Sequence, residues 1–178
     1  QTPESFEETL RYVLEYNPDR FAVFSYAHVP WSAPAQKILE SKDLPDPETK
    51  LLMLEKVITV LTGNGYHYVG MDHFAKQDEK LSIAQKNGTL QRNFQGYSTH
   101  GGVEICAFGM SSISQTSRSY RQNHKDLTDY GQAVAAGTPP IARGILLSDE
   151  DVLRPVLIMS VVCELDIDSA VISNEFRI

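Results

Sequence analysis

The sequence predicts an α/β fold, and three observations carry that expectation. Thr2-Pro3-Glu4 and Asp46-Pro47-Glu48 are matching helix starts, each with a capping side chain, a proline for the first turn and an acid at the positive end of the dipole. Each is followed by apolar residues at helical spacing and then by a short apolar run that reads as a buried strand. Helix, strand, helix, strand with short connections is the pattern of parallel strands joined by crossover helices.

Phe6, Leu10, Val13 and Leu14 give the first helix its apolar stripe, and Asn17-Pro18-Asp19 ends it. Phe21 to Ala27 is apolar on both faces and is predicted as a strand. Pro30, Pro34 and Pro45 punctuate the next stretch, with one helical turn expected around Ala33 to Leu39. The second helix carries Leu51, Leu52, Leu54, Val57, Ile58 and Leu61 and stops at Gly63-Asn64-Gly65. Tyr66 to Gly70 is the next strand.

After Met71 the rhythm breaks. Leu81 to Lys86 reads as a helical turn, and Val103 to Ile113 as a strand or an irregular core segment. Lys125 to Ala136 is an amphipathic helix closed by Gly137, and Ile141 to Leu147 is extended. Ser148 caps a further helix with Asp151 at the reciprocal position; Pro155, inside it, is expected to kink it or delay its start. Asp168 can cap a last short helix.

Composition bounds the function. A chain of 178 residues, 42% hydrophobic and 22% charged, can bury a core of ordinary size. A formal charge of −7 disfavours unspecific nucleic-acid binding, which depends on Lys and Arg neutralising phosphates. The longest apolar streak, Val156 to Cys163, is too short to cross a bilayer, so no membrane partner is expected. Cys106 and Cys163 lie far apart in apolar surroundings and are expected to be buried, reduced thiols, which suits the cytoplasm. Two cysteines without a clustered spacing build no metal site by themselves. The ends of the sequence read as cuts through a larger protein.

The stretch Arg92 to Gly102 departs from packed regularity, with Gly96, Gly101 and Gly102 beside Phe94, Tyr97 and several hydrogen-bonding side chains. It reads either as a pocket wall or as an ordinary structured loop. Other candidates sit at the carboxyl ends of the predicted strands, where parallel α/β folds gather function. These are Ala27-His28 and Asp72-His73. Adjacent residues on an extended chain point to opposite faces, so Asp72 and His73 read as framework rather than as an acid–base pair. Small residues such as Ala27 and Gly70 would let a planar group approach the backbone, and Ile113 could offer it an apolar face. His28, His73, His100 and Asp72 match no compact metal-ligand spacing.

Several segments together carry a resemblance. Gln1-Thr2-Pro3-Glu4-Ser5-Phe6, Asn17-Pro18-Asp19-Arg20, Tyr26-Ala27-His28, Gly65-Tyr66, Gly70-Met71-Asp72-His73-Phe74-Ala75 and Arg92-Asn93-Phe94-Gln95-Gly96-Tyr97 occur in one order. The chain thereby resembles, over its whole length, the bacterial oxygen-independent coproporphyrinogen III oxidases, radical S-adenosylmethionine enzymes of haem biosynthesis. The resemblance implies oxidative decarboxylation of two propionates of coproporphyrinogen III to vinyl groups, giving protoporphyrinogen IX through a 5′-deoxyadenosyl radical.

By the same resemblance the cofactors are S-adenosylmethionine, two per full-length enzyme, and a [4Fe-4S] cluster on cysteines absent from this chain. The partners are the substrate and an external electron donor. Ala27 and Ile113 are implied as cofactor contacts, Phe94 and Gln95 as active-site residues, and Asp72 and His73 as lining the substrate pocket. The implied fold is the C-terminal portion of a partial (β/α)6 TIM-like barrel over residues 1–115, followed over 116–178 by the start of a mostly helical C-terminal domain. The full-length enzyme is expected to be a monomer. This stretch alone is expected to lack cluster and radical chemistry, and its unpaired strand edges invite self-association. The alternatives are the related haem chaperone, which binds and transfers haem, and a catalytically inert fragment.

Overall fold

The structure, a computed structural model, describes residues 2–39 and 44–165. The chain divides into two compact units, residues 1–86 and 87–178.

In the first unit, α1 (Pro3–Leu14) starts as the sequence predicts: Thr2 and Ser5 form a reciprocal capping box. The strand β1 (Arg20–Ala22) follows, then a 3₁₀ turn (Pro34–Ile38). Helix α2 (Pro47–Gly63) begins where the Asp46 carboxylate accepts from the Thr49 N–H at 2.7 Å. It leads to β2 (Tyr66–Gly70), β3 (His73–Lys76) and α3 (Lys80–Lys86). The predicted strand over Phe21 to Ala27 is therefore shorter than expected, and β3 is an element the sequence reading did not contain.

That extra strand corrects the sheet. β1 and β2 run in the same direction, but they do not pair with each other. Both pair antiparallel with β3, in the order β1-β3-β2. The physical reason is a reversal at Gly70-Met71-Asp72, where Gly70 has φ 143° and Met71 φ 52°. The ladder slips between Tyr68 and Gly70, and the chain folds straight back.

One face of this sheet packs against α1 and α2. Leu10 from α1, Val57 and Leu61 from α2, and Phe21, Tyr66 and Phe74 from the strands form a single buried cluster. Phe21 and Tyr66 meet edge to face at 4.9 Å. Glu7 pairs with Lys56 across the two helices, and Arg20 with Glu79 across the sheet end. Both pairs are partly exposed, so they fix geometry more than they stabilise. α3 lies along β2: Gln85 donates to the Val69 carbonyl and its oxygen meets His67 Nε2, each at 2.6 Å.

The second unit opens with β4 (Gln91–Asn93) and β5 (Gly96–Ser98), an antiparallel hairpin. A meander of β6 (Ile113–Gln115), β7 (Ser119–Asn123) and β8 (Ile141–Leu146) follows, with α4 (Leu127–Ala135) between β7 and β8. The β6–β7 hairpin spans residues 115 and 116. Asn123 is buried at the end of β7, donating from its side chain to the Gly109 carbonyl at 2.9 Å and from its N–H to Ser112 at 3.0 Å. Helix α5 (Asp149–Met159) has the expected Ser148–Asp151 capping box. Pro155 sits within it without delaying its start, and the helix runs on into a π turn (Ser160–Glu164).

One further expectation changes. Val103 to Met110 is irregular apart from one bridge between Ile105 and Gln115, so Cys106 is exposed and only Cys163 is buried. An apolar run without strand neighbours on both sides has nothing to cover it. The helix expected after Asp168 lies outside the described residues.

Two measurements check this packing. Leu61→Ala, at a position with 0% exposure, should cost about 2–5 kcal/mol in urea unfolding; a loss below about 1 kcal/mol would place Leu61 outside the core. The Thr49 backbone N–H holds the Asp46 carboxyl below its ordinary range. A depressed carboxylate stabilises the fold above its unfolded pKa of about 3.9 and loses that contribution as pH falls through the lower folded value. Asp46→Asn, which still caps, should flatten the loss of helical circular dichroism below about pH 4.

Candidate functional site

The candidate residues fall in both units, and each group is built locally. In the first unit the chain after β1 stays extended, held where the Val23 N–H donates to the Asp72 carbonyl at 2.8 Å. Gln36, from the 3₁₀ turn, then clips the segment. Its amide donates to the Ala27 carbonyl at 3.1 Å, and its oxygen accepts from the Val29 N–H at 2.6 Å. Ala27 is exposed on this pinned backbone. The neighbouring His28 ring sits 6.1 Å from Tyr26, and its Nδ1 is buried with no hydrogen-bond partner among the described residues.

Asp72 and His73 do meet, against the geometric expectation. Asp72 Oδ1 lies 2.6 Å from His73 Nδ1. The rule of opposite faces applies to extended chain, and the left-handed Met71 takes Asp72 out of that conformation. The pair is half-buried, with Phe24 edge-on to the imidazole at 5.9 Å. Tyr68 donates its hydroxyl to the Met71 carbonyl at 2.9 Å. Burial, and then the Asp72 charge, push the Tyr68 phenol above its usual range. A carboxylate that orients an imidazole beside an aromatic wall can hold a polar ligand group or relay a proton.

A cleft of about 290 Å³ lies beside this segment, between the extended strand and the two helices. Phe24, Tyr26, Leu39, Met53 and Leu54 make it apolar, and Lys50 is its one basic lining residue among the described residues.

In the second unit Phe94 and Gln95 are the two central residues of the β4–β5 hairpin turn, since Asn93 pairs with Gly96. The stretch from Arg92 to Gly102 is thus regular at its start. Asn93 Oδ1 accepts from the Gln95 N–H at 2.8 Å, and Gly96 closes the turn at φ 117°. Both central side chains are exposed; Phe94 packs its edge against Tyr120 of β7 at 5.4 Å. Ile113 is half-buried at the start of β6, opposite Gln122. The sequence reading held Arg92 and Tyr97 within this stretch but missed the hairpin turn and Tyr120 as its neighbour. Asn-x-x-Gly between residues able to form strands was the available signal.

No group of three or more His, Cys, Asp or Glu converges as a metal site among the described residues. No helix among them is long and apolar enough to cross a membrane.

Taken whole, the α/β chain is similar in backbone to part of a solved radical S-adenosylmethionine enzyme. It superimposes with a TM-score of 0.94 on the solved coproporphyrinogen III oxidase from Escherichia coli, described as a radical SAM enzyme, at 43% identity over 100% of this chain and 41% of that one. The curated relatives carry the same name. The chain is 44% identical to the oxygen-independent coproporphyrinogen III oxidase of Escherichia coli K12 over 99% of its own length and 38% of that protein. It is 44% identical to the Thermostichus vulcanus enzyme over 100% of its length and 55% of the relative, and 42% identical to that of Pseudomonas aeruginosa over 100% and 39%. No family model matches the chain. The whole chain is homologous to oxygen-independent coproporphyrinogen III oxidases, and it spans from about two-fifths to just over half the length of these relatives.

The turn makes a direct prediction. Gly96→Ala forces an L side chain into a backbone of positive φ, so stability in chemical denaturation should fall by about 1 kcal/mol or more. An unchanged midpoint would mean that the hairpin turn does not hold this shape.

Proposed function

We propose that this chain serves in an oxygen-independent coproporphyrinogen III oxidase, converting two propionates of coproporphyrinogen III to vinyl groups to give protoporphyrinogen IX. The observation that carries the reading is identity of 44% to a named oxidase across 99% of the chain. In this reading residues 1–115 supply the last strands and active-site loops of a partial (β/α)6 barrel. Residues 116–178 begin the C-terminal domain, with the β6–β7 hairpin across the join. The electron donor is external, the protein acts in the cytoplasm, and the complete enzyme is a monomer.

The residues present do not fit the cluster. Cys106 and Cys163 are the only cysteines, one exposed and one buried, and a [4Fe-4S] cluster is held by more thiolates than two. No step through it is derived from this chain. The fit to S-adenosylmethionine is better. Ala27 presents a methyl group on a backbone clipped by Gln36, beside a His28 Nδ1 that has no partner among the described residues, so a flat polar group can lie close to the main chain. When bound, that cofactor supplies the radical that removes hydrogen from a propionate.

The chain's own residues bind and orient. Ala27 and Ile113 contact the cofactor, and Phe94 and Gln95 border the reacting propionate from a hairpin tip. Asp72 fixes the ring of His73 in the pocket-facing loop. Phe94 helps exclude water around the reacting carbon, and the Gln95 amide can hold a carboxylate oxygen through its donor.

Anaerobic incubation of the complete natural protein with coproporphyrinogen III, S-adenosylmethionine and a reductant tests the reading. Protoporphyrinogen IX should form; tight haem binding with no turnover would favour the haem-transfer alternative instead. Within the active protein, Gln95→Ala should lower turnover by about 10- to 100-fold with the unfolding midpoint unchanged, because misplacing the reacting group forfeits orientation. Full turnover would remove Gln95 from the site.

A further inference from the structure

The hairpin that carries Phe94 and Gln95 also holds a cation whose partner is not among the described residues. Arg92 on β4 stands directly opposite Tyr97 on β5, and its guanidinium carbon lies 5.8 Å from the centre of that ring. Tyr97 is itself anchored, donating its hydroxyl to the Val162 carbonyl at 2.7 Å. The guanidinium therefore rests on a fixed aromatic plate. Among the described residues its buried Nε meets no hydrogen-bond acceptor and no carboxylate pairs with it.

An arginine keeps its charge at any ordinary pH, and a half-buried one whose Nε finds no acceptor among the described residues carries a desolvation cost that those residues do not offset. That cost is tolerated where a ligand supplies the missing anion. The field of Arg92 reaches the buried Cys163 thiol, where it opposes the upward push of burial and of Glu164. Two residues along, Phe94 is 58% exposed, and its edge is braced on Tyr120. A donor fork on a hairpin whose tip carries an exposed aromatic ring suits a ligand with an apolar ring and carboxylate arms.

We propose that Arg92 is a substrate-anchoring residue, receiving one propionate carboxylate of the tetrapyrrole on its guanidinium. The proposal rests on the oxidase reading above, and deepens it by naming the group that holds the substrate's charge. Its competitor is purely structural: Arg92 as a bolt between the hairpin and the π turn that follows α5.

The test uses the complete natural protein with Arg92→Gln and Arg92→Lys. The readouts are KM for coproporphyrinogen III and, by fluorescence quenching, Kd for coproporphyrin III, the stable oxidised ring with the same propionates. Arg92→Gln should raise both by about 10- to 100-fold, the loss expected for a charge-assisted pair, with kcat little changed. Arg92→Lys keeps the charge without the fork and should fall between the two, by several-fold; it also serves if the glutamine variant does not fold. An etioporphyrin-type ring without carboxylates should bind wild type and variants alike. Unchanged KM and Kd in either folded variant, or an effect confined to the unfolding midpoint, would overturn the proposal. A wild-type protein that neither converts coproporphyrinogen III nor binds coproporphyrin III would instead overturn the oxidase reading.

Discussion

The reversal at Gly70-Met71-Asp72 is the constraint on which the first unit depends. It turns β2 back on itself so that β3 lies between β1 and β2, and the central strand then satisfies the main chains of both neighbours. The same turn sends the Asp72 carbonyl to the Val23 N–H, which keeps the chain extended beyond β1. It also brings the Asp72 carboxylate onto His73. One strained turn thus sets the sheet, the course of the segment that carries Ala27, and the only close carboxylate–imidazole pair among the described residues. A non-glycine residue at positive φ costs energy, and here that cost is met by the hydrogen bonds and packing the turn makes possible.

The second unit depends on a smaller device of the same kind. Asn93 and Gly96 close a two-residue turn, and its central positions are the two side chains expected at the active site. A tight turn on a paired hairpin presents Phe94 and Gln95 with little backbone freedom to lose on binding. Below the tip, Tyr97 is tied to the π turn through the Val162 carbonyl, and Phe94 is braced by Tyr120. The hairpin is therefore held at β5 and at its turn, and its aromatic tip remains exposed. Exposed aromatic surface on a rigid support is the usual condition of a recognition surface.

Much of the local structure was legible in the sequence because local rules govern it. Both helix starts, the Ser148–Asp151 box, α4 and β8 follow from capping chemistry and periodicity. β3 was missed because His73 to Lys76 is only four residues long and lacks a clear period, so its strand character comes from its neighbours. Cys106 was misjudged for a related reason: apolar composition does not bury a residue unless other elements arrive to cover it. The strand ends and the Arg92–Gly102 stretch were singled out from the residues and given roles by the resemblance; their contacts were not legible. The Asp72–His73 contact needs Met71 at positive φ, which no composition announces, and Arg92 gains its role from a cross-strand tyrosine and a carbonyl far along the chain.

The sequence by itself determined the α/β class, the ends of most helices and the likeness to oxygen-independent coproporphyrinogen III oxidases. Those follow from capping, periodicity and runs of residues that are all written locally. Only the tertiary structure decided strand order, the meeting of Asp72 with His73, the exposure of Cys106 and the burial of an Arg92 Nε that finds no acceptor among the described residues. Each of these depends on which distant segment lies alongside, and burial, pairing and charge compensation belong to neighbours in space rather than in sequence.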